Sequence, residues 1–449
     1  MHTFDYIVVG GGTAGCVLAA RLSEDSRTRV LLLEAGPAEP LVAMADPLAW
    51  PRLAQSSVDW DLETVPQPGT GGEAHRWPRG KVLGGSGGIG GLTHVPAGRS
   101  AYDAWAVPGW DGAALEPYLA RAPAEVVPDR EPLWEACFAA AGEAGCPAVW
   151  TDTTTAGGVR RSAADCYLAP AADRPNLTVV TDACAQRLVL GRTGCHGVEY
   201  RVGDRAETAL AAAEVVLAAG VVGSPLLLLR SGIGPGADLR EAGITVVADL
   251  PGVGANLQDP PRVAVAYSTT RPVRATRFAR TPHVLAPDLL ITFADVPVYP
   301  RSARGREDGY SVLVTLTAPA SRGAVRLTGV DPGYLSEEAD LERLADGIRR
   351  ARAIGTAAAL EAMRDKETVP GLQAQSDAAL RAHIRQAVST AHDSVGTCAL
   401  GSVVDPALAV RGISGLRVAD ASVLPSPGSG QVNATVLAVA ERAAELIKR

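Results

Sequence analysis

Along the first 35 residues the spacing of apolar positions changes twice. FDYIVV, residues 4 to 9, is a short apolar run that predicts a buried strand, AGCVLAARLSED then carries helical periodicity, and TRVLLLEAG returns to a strand. Glycines fill the first turn of this β-α-β unit. A second strand-glycine-helix passage follows at residues 213 to 235, AEVVLAAGVVGSPLLLLRSGIGP, where a strand meets Gly220 and a leucine-rich helix. Between the two, TVVTDACAQRLVLGRTGCHGVEYRVGD predicts a small antiparallel meander.

Residues 286 to 330 hold three further strand candidates, PDLLITFADV, YSVLVTLTAP and GAVRLTG, which predict a second sheet. SEEADLERLADGIRRARAIGTAAALEAM predicts an amphipathic helix, most of whose acid-base pairs lie on a solvated face. Ser224-Pro225 reads as a helix N-cap with proline at the first helical position. No tandem repeat or low-complexity linker separates these passages, so the domains are expected to interleave.

Composition narrows the function. The chain has 449 residues, is 47% hydrophobic and carries a formal net charge of −7, which suits a large buried core and gives no electrostatic footprint for nucleic acid. Its seven cysteines are scattered without a C-x-x-C pair, so reduced structural thiols are expected and no metal site is. Glycines break the apolar run near the N-terminus far short of a membrane span, and no basic leader precedes it; a cytoplasmic location is expected.

VVGGGTAG sets Gly10, Gly12 and Gly15 in the G-x-G-x-x-G pattern between strand and helix. There the bare backbone can approach a pyrophosphate and the helix N-terminus favours its charge. Glu34 ends the next strand, where an acid can hold a ribose diol and disfavours a 2′-phosphate; FAD or NAD is the expected ligand.

Six blocks occur in order: WPRGKVLGGSGG (77 to 88), YDAWAVPGW (102 to 110), GSPLLLLRSGIGP (223 to 235), DLPGVGANLQD (249 to 259), HDSVGTC (392 to 398) and GLRVADASVLP (415 to 425). With the N-terminal motif they resemble, end to end, the glucose-methanol-choline family of FAD-dependent oxidoreductases. The resemblance implies an α/β fold in which a Rossmann-like FAD domain of the p-hydroxybenzoate hydroxylase type interleaves with a smaller substrate domain on an antiparallel sheet. The FAD domain would take residues 1–110, 176–260 and 403–449, and the substrate domain 111–175 and 261–402.

Carried over by position, Gly10, Gly12, Thr13, Ala14 and Gly15 would face the pyrophosphate, and Glu34 with Ala35 the adenosine ribose. Arg79, Val82, Gly84, Gly85 and Ser86 would line the flavin side, Ala185 would make a backbone contact to adenine, and Ala219 would also meet the cofactor. Asp420 and Ala421 would meet the pyrophosphate-ribityl region, and Asn433 with Thr435 the pyrimidine end of the flavin, beside Gln431. For Asp420 a cap on a turn is the competing reading.

The family oxidises an alcohol when a base takes the hydroxyl proton and hydride passes to flavin N5, work that suits an imidazole. His392 is assigned that role. Among the other histidines, His94 could line the pocket but reads as structural, His383 as part of a solvated helix face, and His196 as a turn residue; His283 falls in the substrate region. The second member of the catalytic pair, a His or Asn in relatives, falls on Gln431, which can orient the substrate oxygen but not act as a base. A turn glutamine bonded to backbone is the alternative. The position where some relatives tether FAD to a His appears as Trp77, with His75 two residues earlier, so FAD is expected to be non-covalent.

The chain departs from the family in lacking Pro after His392, in Gly90 where Asn is usual, and in a short stretch between NLQD and ASRGAVRL. With only four Phe as well, the lid and aromatic walls are expected to be reduced, leaving an open site for a small-molecule or carrier-borne alcohol, with O₂ or a quinone-like compound as electron acceptor. Two other functions fit the same features: a non-redox lyase with structural FAD, and a flavin-binding protein without turnover.

Overall fold

Strands far apart in sequence lie side by side at the centre of the molecule. The computed structural model describes residues 2–125, 131–273, 280–300, 305 and 308–448, with the side chain of residue 2 left aside. His2–Val9 pairs in parallel with Val30–Leu33 on one side and Arg205–Leu217 on the other. The sheet continues through Leu177–Val180 beyond Val30–Leu33, while Leu416–Val418 pairs in parallel with the end of Arg205–Leu217. Every residue of Val30–Leu33 is buried, as a parallel strand covered on both faces requires. Of the predicted meander, Ala183–Gly191 and Gly194–Val202 are antiparallel and join Arg205–Leu217, whereas Leu177–Val180 belongs to the parallel part.

Two helices pack together against this sheet, Thr13–Leu22 and Val432–Ile447. A third, Gly220–Arg230, starts earlier than Ser224-Pro225 suggested: its N-cap is Ala219, and Pro225 lies inside it. Proline there cannot donate to the carbonyl four residues back, Val221, and an interior helical proline costs about 3 kcal/mol. Thr397 supplies the missing donor, its hydroxyl bonding the Val221 carbonyl at 2.7 Å.

The second sheet is antiparallel. Its strand order is Arg364–Val369, Pro261–Thr269, Gly309–Leu316, Leu289–Ala294, Pro282–Leu285, Ala148–Trp150, and Ser389–Thr390 pairs with the start of Pro261–Thr269. Side chains alternate across it with period two. Val265, Ile291, Val312 and Val314 join the core under the Glu338–Gly355 helix, while Ala264, Leu290, Thr292, Leu313 and Thr315 line a cavity on the other face. The helix buries Leu341, Leu344, Ile348, Ala351 and Ile354; each Leu or Ile so buried contributes about 1.5–3 kcal/mol. It approaches closely at Gly347, where a Cβ would stand 2.3 Å from Val314.

One expectation is corrected. GAVRLTG does not enter the second sheet: Ala324–Arg326 turns back on Gly329–Asp331 as a two-stranded ribbon, and Val325 and Val330 pack with Trp77, Val221 and Leu257. Some of the acid-base residues of the long helix also tie it to its neighbours. Arg343 reaches Asp288 at 2.6 Å and Arg352 reaches Glu367 at 2.8 Å, tying the helix to the turn before Leu289–Ala294 and to an edge strand. Val395, Cys398 and Leu400 pack in the core of the first sheet, and Cys398 N–H donates to the Ser422 carbonyl. All seven cysteines are unpaired, and no helix among the described residues is long and apolar enough to cross a membrane.

Candidate active site

Two glycine turns meet backbone to backbone at the C-terminal end of the central strands. Gly12 pairs with Gly84 as a parallel bridge, and Gly84 N–H donates to the Gly11 carbonyl at 2.8 Å. Gly10 has φ +101°, and a Cβ on it would meet the Ala218 carbonyl oxygen at 2.6 Å; a Cβ on Gly85, φ +55°, would meet Gly12 Cα at 2.6 Å. Side chains are thus excluded where the two turns touch. Gly12 cannot cap the Thr13–Leu22 helix, no side chain does so, and Gly12, Thr13 and Ala14 line the cavity. Thr13 instead donates to Asn433 Oδ1 at 2.8 Å, linking the turn to the Val432–Ile447 helix. An uncapped helix start facing a cavity is suited to an anion such as a pyrophosphate.

Glu34 is buried, its oxygens accepting the N–H groups of Gly11 at 2.7 Å and Gly36 at 2.8 Å. Burial raises its carboxyl above the ordinary range while those N–H groups pull the other way. One lone pair on each oxygen remains for a diol. Ala185 lies beside an irregularity in strand pairing: Ala185 faces Tyr200 and Arg187 faces Glu199, leaving Gln186 bulged at the cavity wall. Together the uncapped turn, the acid and the strand edge fit a dinucleotide such as FAD.

The cavity has a volume of about 2200 Å³ and extends from these turns to the second sheet. Gly10, Gly12, Thr13, Ala14, Glu34, Ala35, Arg79, Gly85, Ser86, Ala185, Ala219, Asp420, Ala421, Gln431, Asn433 and His392 line it. Gly15, Val82, Gly84 and Thr435 stand behind the wall. A Cβ on Gly15 would fall 1.8 Å from the Gly10 carbonyl oxygen, so this glycine lets helix and turn approach. Val82 packs among Met44, Leu53, Val58 and Ile89, and Thr435 Oγ1 lies 3.1 Å from the Tyr102 hydroxyl.

Asp420 lines the cavity with a saturated carboxylate. Oδ2 accepts from Gly220 N–H at 2.9 Å and the Ser224 hydroxyl at 2.5 Å, and Oδ1 from Ser422 N–H at 2.8 Å and the Ser422 hydroxyl at 2.6 Å. Asp420 thus caps the turn at 421–423, as the competing reading expected, and it also borders the cavity.

At the other end stands His392. Its backbone is left-handed, φ +71°, a conformation that costs a non-glycine residue on the order of 1 kcal/mol. Thr390 Oγ1 holds it by accepting its N–H at 2.8 Å. The side chain is open to the cavity, over a third of it exposed there, yet lies deep within the protein. Burial, with the Arg262 and Arg79 guanidinium groups, holds its imidazole well below the ordinary value, so it stands neutral and can accept a proton.

Asp259 anchors this turn. Its Oδ1 accepts the hydroxyls of Thr390 at 3.0 Å and Ser394 at 2.6 Å, and its Oδ2 accepts Trp77 Nε1 at 2.6 Å and the Tyr334 hydroxyl. Arg79 donates to Ser394 Oγ at 2.5 Å and stacks 3.7 Å from the Trp77 ring centroid. Pairing of Arg262 with Ser389 brings its guanidinium to the Ala391 carbonyl at 2.8 Å, beside His392. Gln431 donates through Nε2 to Thr93 Oγ1, a side chain rather than backbone, and its Oε1 is buried without a partner.

Sequence reasoning passed over Arg262, Asp393, Asp259, Thr390 and Ser394. Asp393 had a visible signal, since it replaces the proline expected after His392; Arg262 had none, because only the pairing of distant strands brings it to the site. Among the histidines, His94 pairs with Asp152 away from the cavity wall, and burial lowers the pKa of His283 to about 4. His196 lies in the Gly194–Val202 strand rather than a turn. His383 is half-buried with Nε2 unpartnered, not on a solvated face. Trp77 is fully buried, whereas His75 borders the cavity with Nε2 at 2.8 Å from Thr70 Oγ1. The shortened stretch includes residues 274–279, 301–304 and 306–307, so part of the expected loss of a lid lies outside the described residues.

Comparison with known proteins shows likeness along the length of the chain. Two models described as GMC oxidoreductase match residues 4–262 and 319–440. Mitochondrial choline dehydrogenase of Mus musculus is 33% identical, over 99% of this chain and 89% of that protein. Choline oxidase of Arthrobacter globiformis is 35% identical, over 99% and 94%. Among solved structures, pyridoxine 4-oxidase from Mesorbium loti superposes with a TM-score of 0.94 at 32% identity, over 98% of each chain.

Proposed function

Because the chain belongs to the glucose-methanol-choline family of oxidoreductases, we propose that it oxidises a small-molecule primary alcohol to the aldehyde with FAD, and that His392 accepts the hydroxyl proton. The observation carrying this reading is the placement of His392, neutral and open to solvent-accessible space, in the same cavity as the two glycine turns. FAD, when bound, supplies the two-electron oxidant that accepts hydride from the carbinol carbon.

The residues divide the rest of the work. Gly12, Thr13 and Ala14 offer backbone donors to the pyrophosphate and Glu34 takes the ribose hydroxyls. Thr390 and Asp259 fix the turn that aims His392, and Gln431 orients the substrate oxygen through its amide. An imidazole base contributes roughly 10²–10⁴ to such a step. FAD is held without a covalent bond, a reading supported by Trp77, whose indole is buried and committed to Asp259. Seven unpaired thiols support a cytoplasmic location. The acceptor of the second half-reaction is O₂ or a quinone-like compound.

The side of the cavity toward the second sheet suits a flat, largely apolar alcohol. Trp134, Leu290, Phe293 and Leu313 line it, which favours a hydroxymethyl arene or pyridine over a quaternary ammonium alcohol, whose head group is best held in an aromatic cage. The relative named for pyridoxine and its TM-score of 0.94 support the same class. The test is anaerobic mixing with hydroxymethylpyridines, benzyl alcohols, choline and a carrier-linked alcohol, following flavin absorbance. Bleaching by the ring alcohols is the expected outcome. No bleaching by any of them would leave the lyase or the silent flavin binder, and bleaching by choline alone would overturn the substrate class.

A further inference from the structure

Asp393 shares the cavity with His392 but belongs to neither the cofactor cradle nor the network that holds the His392 turn. Its Oδ1 accepts the N–H of Val432, the first residue of the C-terminal helix, at 3.0 Å. Oδ2 makes no hydrogen bond among the described residues. A carboxylate with one oxygen fixed by a helix start and the other uncommitted at a cavity wall is placed to meet a ligand hydroxyl.

The charges around it come from every neighbouring segment. Arg262 lies on the strand paired with 389–390, Asp259 just before that strand, Arg79 across the buried network, and His392 adjacent in sequence. Burial pushes the Asp393 carboxyl up to about 6, with Asp259 adding to it and the Val432 N–H, Arg262 and Arg79 opposing it. The same two guanidinium groups and burial weaken His392 as a base. Of the two side chains, the carboxylate is therefore the stronger proton acceptor while remaining ionised near neutral pH.

Resting on the reading that this cavity oxidises an alcohol, we propose that Asp393 is a second proton acceptor of the reaction, receiving on Oδ2 the substrate hydroxyl proton that His392 takes first. The alcohol O–H bond breaks and an O–H bond forms on the carboxyl; the carbinol C–H pair leaves as hydride to the flavin oxidant, and the oxygen lone pair completes the carbonyl. His392 returns to its neutral form as the proton passes to the carboxylate, and it hydrogen-bonds the same oxygen.

Asp393→Asn in the FAD-loaded enzyme separates this role from capping, because the amide oxygen still accepts the Val432 N–H. The expected result is a loss of roughly 10²-fold in the flavin reduction rate. The acidic limb of kcat/KM near pH 6 should disappear, and an infrared carboxylic acid band that titrates near pH 6 in the wild type without substrate should be absent. Bleaching by an alcohol with an unchanged rate and acidic limb in D393N, or persistence of the titrating band, would overturn the proposal alone. Failure of every alcohol to bleach the wild type would overturn the oxidation reading and this proposal with it.

Discussion

The hydroxyl of Thr397 donates to the carbonyl of Val221 at 2.7 Å, standing in for the N–H that Pro225 lacks one turn later in the same helix. Three residues from two distant segments thereby share one hydrogen-bonding problem. Thr397→Val leaves a buried carbonyl unpaired and should cost about 1–3 kcal/mol in chemical denaturation. In a Pro225→Ala background the helix regains its own donor, so the same substitution should cost less. Equal losses in the two backgrounds would show that the hydroxyl is not compensating for the proline.

Removing the imidazole gives a second outcome. His392→Ala should lower the anaerobic flavin reduction rate by roughly 10²–10⁴ while leaving the flavin bound, since the residues proposed to hold it are others. Stopped-flow absorbance reads the rate and gel filtration the retained flavin. A loss below about tenfold would move the main proton acceptor to another group.

Glu34 is expected to report on the nucleotide end. Glu34→Ala deprives Gly11 and Gly36 of their acceptor and removes the carboxylate proposed for the ribose diol. Loss of one charged hydrogen bond of about 1.5–3 kcal/mol corresponds to a roughly 10- to 100-fold rise in the Kd for FAD, measurable by flavin fluorescence on dilution. An unchanged Kd would place the ribose elsewhere.

The buried carboxyl of Asp393 has a signature in stability as well as in rate. Its folded value, about 6, lies above the ordinary aspartate value of about 3.9, so below pH ~4 it is protonated in both states and its burial carries no charge penalty. As pH rises through that interval the unfolded chain ionises first, and the folded state loses up to about 3 kcal/mol by the time pH passes 6. Urea denaturation at pH 4 and 7 should therefore show the stability of wild type relative to D393N falling by up to about 3 kcal/mol as pH rises. A constant difference would contradict the buried position of this group.

Local period and composition made the nucleotide half of the site readable. Gly10, Gly12, Thr13 and Glu34 lie within 25 residues, and the strand-turn-helix around them is specified by neighbours in sequence. Thr13 and Asn433 could be placed on the same cofactor only through the family resemblance, since their contact spans 420 residues. The catalytic end was less legible because strand pairing builds it: Arg262 reaches His392 through its pairing with Ser389, and Asp259 gathers Trp77, Tyr334, and Thr390 with Ser394 from three segments. The ribbon at 324–331 was misassigned for the converse reason, since a short apolar alternation cannot say which partner strand will accept it.

The link between Thr13 and Asn433 also bears on synthesis. Residue 433 leaves the ribosome 420 residues after residue 13, yet the two side chains close one wall of the cavity. For most of translation the nascent chain carries a finished glycine turn with an unfinished container around it. The cavity wall that Thr13 and Asn433 close is therefore complete only once the Val432–Ile447 helix has been made.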